Sequence, residues 1–204
     1  TVAVGAYYSG NSHYSGYVKI YRLKDDGMSW GQIGEDIVGD AAYDFFGFSV
    51  SLSADGSTIA IGASYNDDNG AGPGKVMVYR INSEGSSWER LVQSIYGDNA
   101  GDWFGISVNL SPHGNTLAIG SPGFWEDDDR PGYVRVFSLE SSLDTQDIIG
   151  EANGDEFGRS VSLSNDGKTL AGLQVENAAG KRRKGLQAGK NAGTGVKWCR
   201  SERQ

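Results

Sequence analysis

The chain has little of what usually staples, anchors or activates a protein. Among its 204 residues there is one cysteine, Cys199, so no intrachain disulfide can form. No apolar run approaches the roughly 18 residues of a membrane span, and no signal-peptide pattern is present. Histidine occurs twice, as His13 and His113, each in a polar turn-like stretch without a nucleophile–base arrangement. Gly-x-Ser-x-Gly, His-Glu-x-x-His and phosphate-loop spacings are missing, which removes the commonest signatures of serine hydrolases, zinc proteases and nucleotide enzymes. Helical periodicity is absent throughout.

What is abundant is glycine, with 31 residues against 4 prolines, and aromatics at 11%. That mixture points to short strands and tight turns. The net charge is −8, unevenly spread. Residues 1–170 hold 10 Lys/Arg against 24 Asp/Glu, whereas residues 171–204 hold 8 against 2. An acidic body repels nucleic acid and anionic membrane surfaces, so neither is expected as a partner.

One phrase is written three times. It reads Phe46-Gly47-Phe48-Ser49-Val50-Ser51-Leu52-Ser53, then Phe104-Gly105-Ile106-Ser107-Val108-Asn109-Leu110-Ser111, then Phe157-Gly158-Arg159-Ser160-Val161-Ser162-Leu163-Ser164. A repeat at this spacing marks a supersecondary unit that stacks on its neighbours. In the unit opening at Phe46, Phe48, Val50 and Leu52 alternate with Ser49, Ser51 and Ser53, which predicts a half-buried strand. Asp55-Gly56 supplies a turn. Thr58–Ala63 and Lys75–Arg80 read as the second and third strands, and Ser86–Val92 as a more polar fourth. Thr1–Ala6 and Thr116–Gly120 repeat the second strand, Gly16–Tyr21 and Gly132–Phe137 the third, and Trp30 and Trp88 share the fourth. Gly5, Gly62 and Gly120, at the end of the second strand, are expected where strands crowd together.

Four-stranded antiparallel units at this period predict an all-β fold, a β-propeller with about three blades present. The chain starts inside one unit at Thr1 and leaves the pattern near Ala171, so an incomplete propeller is expected, with the rest of a larger chain and any leader outside it. Two regions follow: a partial propeller over 1–170, and a basic tail over 171–204 that reads as disordered or as an artefact of the source gene model.

The Phe46-Gly47 and Ile61-Gly62-Ala63 pair, with Phe104-Gly105 and Ile119-Gly120-Ser121-Pro122, resembles FG-GAP repeats, the blades of the integrin α-chain type β-propeller. The resemblance spans about residues 1–170. It implies an extracellular or cell-surface binding module, and in many relatives Ca²⁺ held in the hairpin between first and second strands. Here those turns are Ala54-Asp55-Gly56, Pro112-His113-Gly114 and Asn165-Asp166-Gly167. They are too short and too poor in acids for an ion that needs six to eight oxygens. Asp55 and Asp166 are therefore expected to be turn formers.

Two longer loops are denser in oxygen, Asn66–Gly70 and Glu126–Asp129. Asp67, Asp68, Asp127 and Asp129 are candidate Ca²⁺ ligands, against the plainer reading of solvated acidic loops. Asp44, Asp102 and Asp155 precede each Phe-Gly and are read as carboxylates that cap backbone N–H groups between blades, with an acidic ring at the propeller mouth as the alternative. Tyr7, Tyr43, Phe45, Tyr65, Trp103, Phe124 and Trp125 lie at or beside loops. Of these Tyr65, Phe124 and Trp125 are the candidate ligand-binding residues, because exposed aromatics beside acids suit a protein or glycan partner. The sequence therefore leads to a non-enzymatic binding or adhesion module. The alternatives are a propeller lyase or hydrolase with a central-channel site, or a purely structural array of a larger surface protein.

Overall fold

The computed structural model describes residues 1–9, 14–65, 72–123, 130–140, 145–173 and 197–198. The acidic loop residues Asp67, Asp68, Asp127 and Asp129, the aromatics Phe124 and Trp125, and most of the basic tail lie outside these ranges.

The described residues form strands and turns without helices, arranged as successive sheets that are antiparallel except for one pair in the last. The first sheet holds β1 (Val2–Ala6), β2 (Tyr17–Leu23), β3 (Trp30–Gln32) and β4 (Ile37–Val38), the last two both pairing with β2. The second holds β5 (Ser49–Leu52), β6 (Thr58–Ala63), β7 (Lys75–Ile81), β8 (Trp88–Arg90) and β9 (Ile95–Tyr96), with β8 and β9 both on β7. The third runs β10 (Ser107–Leu110), β11 (Thr116–Ser121), β12 (Tyr133–Ser138) and β13 (Thr145–Ile149) in order. The fourth begins with β14 (Ser160–Leu163) and β15 (Thr169–Leu173), and β16 (Lys197–Trp198) lies parallel to β15. These are consecutive blades of an all-β propeller, not closed into a ring.

Register repeats from blade to blade. Ser49 pairs with Gly62 in the second blade, Ser107 with Gly120 in the third, and Ser160 with Leu173 in the fourth. The first strands β5, β10 and β14 are neighbours across blade boundaries, which puts them on the inner side of the array. Apolar layers fill the spaces between sheets. Val18, Ile20, Phe46, Ile59 and Ile61 form the first, Val76, Val78, Phe104, Leu117 and Ile119 the second, and Val134, Phe157, Val161 and Leu170 the third. The second strands show what this stacking does. Ile59 and Ile61 are fully buried between two sheets, whereas Val2 and Val4, their counterparts in β1, are exposed. A strand covered on both faces needs apolar residues at successive positions, as Thr58–Ala63 has.

The serine face of the repeated phrase is not a solvent face. Ser49 Oγ donates to the Gly105 carbonyl at 2.7 Å, and Ser107 Oγ to the Gly158 carbonyl at 2.8 Å. The Leu110 N–H donates to Ser51 Oγ at 2.9 Å, and the Leu163 N–H to Asn109 Oδ1 at 2.7 Å. Short polar side chains thus join adjacent inner strands across the blade boundary, where buried backbone groups need partners.

The glycines of the two motif halves form one contact. A Cβ on Gly5, Gly62 or Gly120 would collide with the carbonyl oxygen of Gly47, Gly105 or Gly158 respectively. The second glycine of each pair has φ of +88°, +88° or +95°, a region that favours glycine. The crowding expected at Gly5, Gly62 and Gly120 is therefore contact with the next blade's Phe-Gly peptide.

Candidate ligand-binding face

In a four-stranded antiparallel meander the chain reverses at each turn. The connection between second and third strands and the connection to the next blade therefore emerge at the same end. Among the described residues, 7–9, 14–16, 39–48, 64–65, 72–74, 97–106, 122–123, 130–132 and 150–159 share this end.

The inter-blade connection is built the same way three times. Its aspartate turns inward: Asp44, Asp102 and Asp155 are buried. Asp102 accepts the Asn99 N–H at 2.9 Å, and Asp155 the Ala152 N–H at 2.8 Å. Asp102 also meets Arg130 Nη1 at 2.7 Å and the Tyr133 hydroxyl at 3.2 Å. In the second blade Lys75 stands where the third has Tyr133, and its ammonium lies 3.1 Å from Asp44 with both side chains buried. Burial raises the pKa of the Tyr133 phenol, so it serves Asp102 as a neutral donor. Asp102 and Asp155 thus cap backbone N–H groups as expected, Asp44 pairs with Lys75, and all three carboxylates are buried within the connections.

The next residue is forced outward. Phe45, Trp103 and Glu156 have φ of +54°, +52° and +47°, a left-handed conformation that costs an L-residue about 1–2 kcal/mol. The residue after it, Phe46, Phe104 or Phe157, returns to the apolar layer between blades. Aspartate in, strained residue out, phenylalanine in is the local plan of each connection. In two copies the outward residue is aromatic.

These rings meet those of the second-to-third strand connections. Tyr43 lies 5.8 Å from Tyr14 between ring centroids, Tyr14 4.3 Å from Tyr8, and Tyr8 5.9 Å from Phe45. Phe45 lies 5.1 Å from Tyr65, and Tyr65 5.5 Å from Trp103. Tyr7 contacts Tyr8, Phe45 and Phe48 edge-on at 6.1, 6.1 and 5.1 Å. The result is a continuous aromatic band from the first blade to the third. Tyr8, Tyr43 and Tyr65 remain open to solvent, at 62%, 52% and 41% exposed, whereas Tyr14, Phe45 and Trp103 are half-buried. At the next junction the outward residue is Glu156, which pairs with Arg159.

The structure therefore brings Tyr65 together with Tyr7, Tyr43, Phe45 and Trp103. Tyr8, Tyr14 and Phe48 also belong to the band and were missed in the sequence. Phe48 reads as a core residue by alternation, yet it is 40% exposed beside Tyr7. Arg159 at the same place in the last copy was the available signal, since a core position would not accept it.

The candidate Ca²⁺ ligands Asp67, Asp68, Asp127 and Asp129 fall outside the described residues, as do Phe124 and Trp125. Among the described residues no group of three His, Cys, Asp or Glu side chains could hold a metal ion. Asp55 accepts from Ser53 Oγ at 2.6 Å and from the Ser57 N–H at 2.9 Å. Asp166 repeats this with Ser164 and the Lys168 N–H. Hydroxyl first and backbone second, these bonds hold both carboxyls below their ordinary pKa. In the His113 hairpin the amide of Asn115 takes the role, accepting from Ser111 Oγ at 2.9 Å. No helix in the described residues is long and apolar enough to cross a membrane.

Residues 39–79 match the family model described as FG-GAP repeat. The chain thus carries an FG-GAP repeat within a propeller-type array, as the Phe-Gly and Ile-Gly-Ala residues imply. A comparison with curated protein sequences finds no match. Among solved structures the chain is similar to the periplasmic gluconolactonase PpgL of Pseudomonas aeruginosa, with a TM-score of 0.51 and 17% identity. The likeness covers 84% of this chain and 46% of that one, so the chain spans less than half the length of that structure. This corrects the expectation of a non-enzymatic protein, because the structure it resembles is that of an enzyme. A propeller scaffold leaves chemistry to the residues its strands and loops present, and the fold does not separate binding from catalysis.

Proposed function

We propose that this chain is part of a recognition module that binds an extended ligand across the aromatic end of its blades. The observation that carries the reading is the band from Tyr43 to Trp103, in which touching rings run across two blade boundaries with Tyr8, Tyr43 and Tyr65 exposed and Tyr14, Phe45 and Trp103 half-buried. Contiguous exposed apolar surface is uncommon on soluble proteins and marks interaction sites. Strain at Phe45 and Trp103 supports the same reading, since left-handed non-glycine residues concentrate where a side chain must be presented. An extracellular or cell-surface setting accords with the FG-GAP repeat and with the periplasmic origin of the similar structure.

A second reading keeps a catalytic site where the inner strands converge, and the gluconolactonase likeness favours it. The loop face is preferred because Ser49, Ser51, Ser107 and Asn109 of those strands are engaged in hydrogen bonds between blades.

The test is a combined glycan and protein array probed with the labelled chain and with a Tyr65→Ala/Trp103→Ala variant. Binding to a restricted set of ligands that falls in the variant, with an unchanged circular dichroism melt, supports the reading. Equal signals from both proteins, or none from either, overturn it.

A further inference from the structure

We infer that the ligand of the aromatic band is an uncharged polysaccharide whose sugar rings stack one by one along the exposed Tyr8, Tyr43 and Tyr65 and the half-exposed Trp103. The inference rests on the reading of this face as a binding surface and names its ligand class.

Three observations decide between chemical classes. First, the rings leave no hollow. An aromatic cage for an ammonium group needs ring faces around an empty centre, each within about 6 Å of the cation. Here that space is filled by other rings, with Tyr7 against Tyr8, Phe45 and Phe48, and Phe45 against Tyr65. From Tyr8 through Phe45 and Tyr65 to Trp103 successive rings are tilted by 38°, 41° and 60°, so the band meets a ligand ring by ring, which suits a chain of units each apolar on one face.

Second, the cations around it are committed. Lys75 pairs with Asp44, Arg90 with Asp40 at 3.0 Å, and Arg130 with Asp102. Arg135 pairs with Asp98 and Asp147 at 2.7 Å each, and Arg159 with Glu156. A uronic or sulfated glycan, or a nucleic acid, would have to break these pairs and face an excess of carboxylates.

Third, the band is exposed at its tyrosines and constrained in its backbone. The phenol-bearing residues Tyr8, Tyr43 and Tyr65 are each at least 41% exposed. Tyrosine offers an apolar ring face and a polar end together. A pyranose is its complement, with C–H groups across its face and hydroxyls around its edge. Edge-to-face packing and the constrained backbone at Phe45 and Trp103 hold the rings in place before binding, which lowers the ordering cost that weakens flexible sites. A protein partner instead favours a pocket for a buried anchor, whereas, among the described residues, Tyr8, Tyr43 and Tyr65 are exposed and Phe45 and Trp103 half-buried in a row without such a pocket between them.

The test is affinity electrophoresis of the full chain in gels containing laminarin, hydroxyethylcellulose or galactomannan, with alginate as the anionic control. Retardation by at least one neutral polysaccharide and not by alginate is expected. Trp103→Ala should weaken it about 10-fold, the worth of one aromatic contact, while Trp103→Phe retains most of it. Retardation by alginate alone, or by none of the polymers, overturns the inference. If the array finds protein ligands lost in the Tyr65→Ala/Trp103→Ala variant, the glycan inference falls while the binding face stands. If aromatic variants change nothing on either platform, both fall.

Discussion

Gly62 of the second blade touches the carbonyl of Gly105 in the third, with no room between them for a side chain. One glycine closes a second strand and the other opens the next blade's first strand. The two halves of the repeated motif, far apart within one repeat, are thus one contact between successive repeats.

Gly62→Ala should therefore act as a wedge between blades. Overpacking against backbone, which cannot rotate away, is expected to cost about 3 kcal/mol. Gly85→Ala is the control. Gly85 also has a positive φ, +71°, but open space around it, so only the left-handed penalty of about 1 kcal/mol applies. Urea unfolding of the two variants separates the effects. Equal midpoints would show that the glycine contact does not hold the blades.

The Asp44–Lys75 pair should be costly to break and cheap to rewrite. Both side chains are buried, and removing one partner of a buried pair typically costs about 3–5 kcal/mol because the other charge is stranded. Lys75→Met is expected to fall in that range. Lys75→Tyr copies the third blade, where the Tyr133 hydroxyl meets Asp102, and should lose distinctly less. A Lys75→Met protein as stable as the parent would remove the pair from the account of blade docking.

The hairpin carboxylates set an acid limit. Asp55 and Asp166 have pKa values lowered from an ordinary 3.8 by bonds made only in the folded chain. The folded form then holds the proton less tightly than the unfolded form, so their stabilisation is present above pH 3.8 and is lost as pH falls through the depressed values. Asp55→Asn should be less stable than the parent near neutrality, and the gap should close below pH 3.8. Thermal melts across pH 2–7 measure it, and a constant gap would exclude the titration. The middle hairpin uses Asn115 instead, so placing aspartate there should add acid sensitivity.

Much of this was readable from the chain. The thrice-written phrase carries the strand alternation, the turn residues and the approximate number of blades, about three expected against four sheets found, because a repeated unit must solve the same local problem each time. Asp55 and Asp166 read as turn formers since their hydrogen-bond partners lie within a few residues. The aromatics could be named as loop residues, but not joined into a band. Tyr65 and Trp103 are neighbours only because the two kinds of connection emerge at the same end of adjacent blades.

The sequence by itself determined the longer strands, their order and the blade as the unit of construction, because period-two patterning and turn chemistry act over a few residues. The two-residue β4 and β9, which pair with β2 and β7, were not legible in it. The tertiary structure decided what each face of those strands is for. Ser49 and Ser51 look solvent-facing until the next inner strand arrives with Gly105 and Leu110 to bond them. Val2 and Val4 match Ile59 and Ile61 in type, yet only the latter are covered, because burial depends on the sheet stacked alongside. Contacts between blades such as Ser49 to Gly105 and Ser51 to Leu110 join residues more than fifty positions apart. Such distances are set by the stacking of whole sheets, which no local pattern encodes.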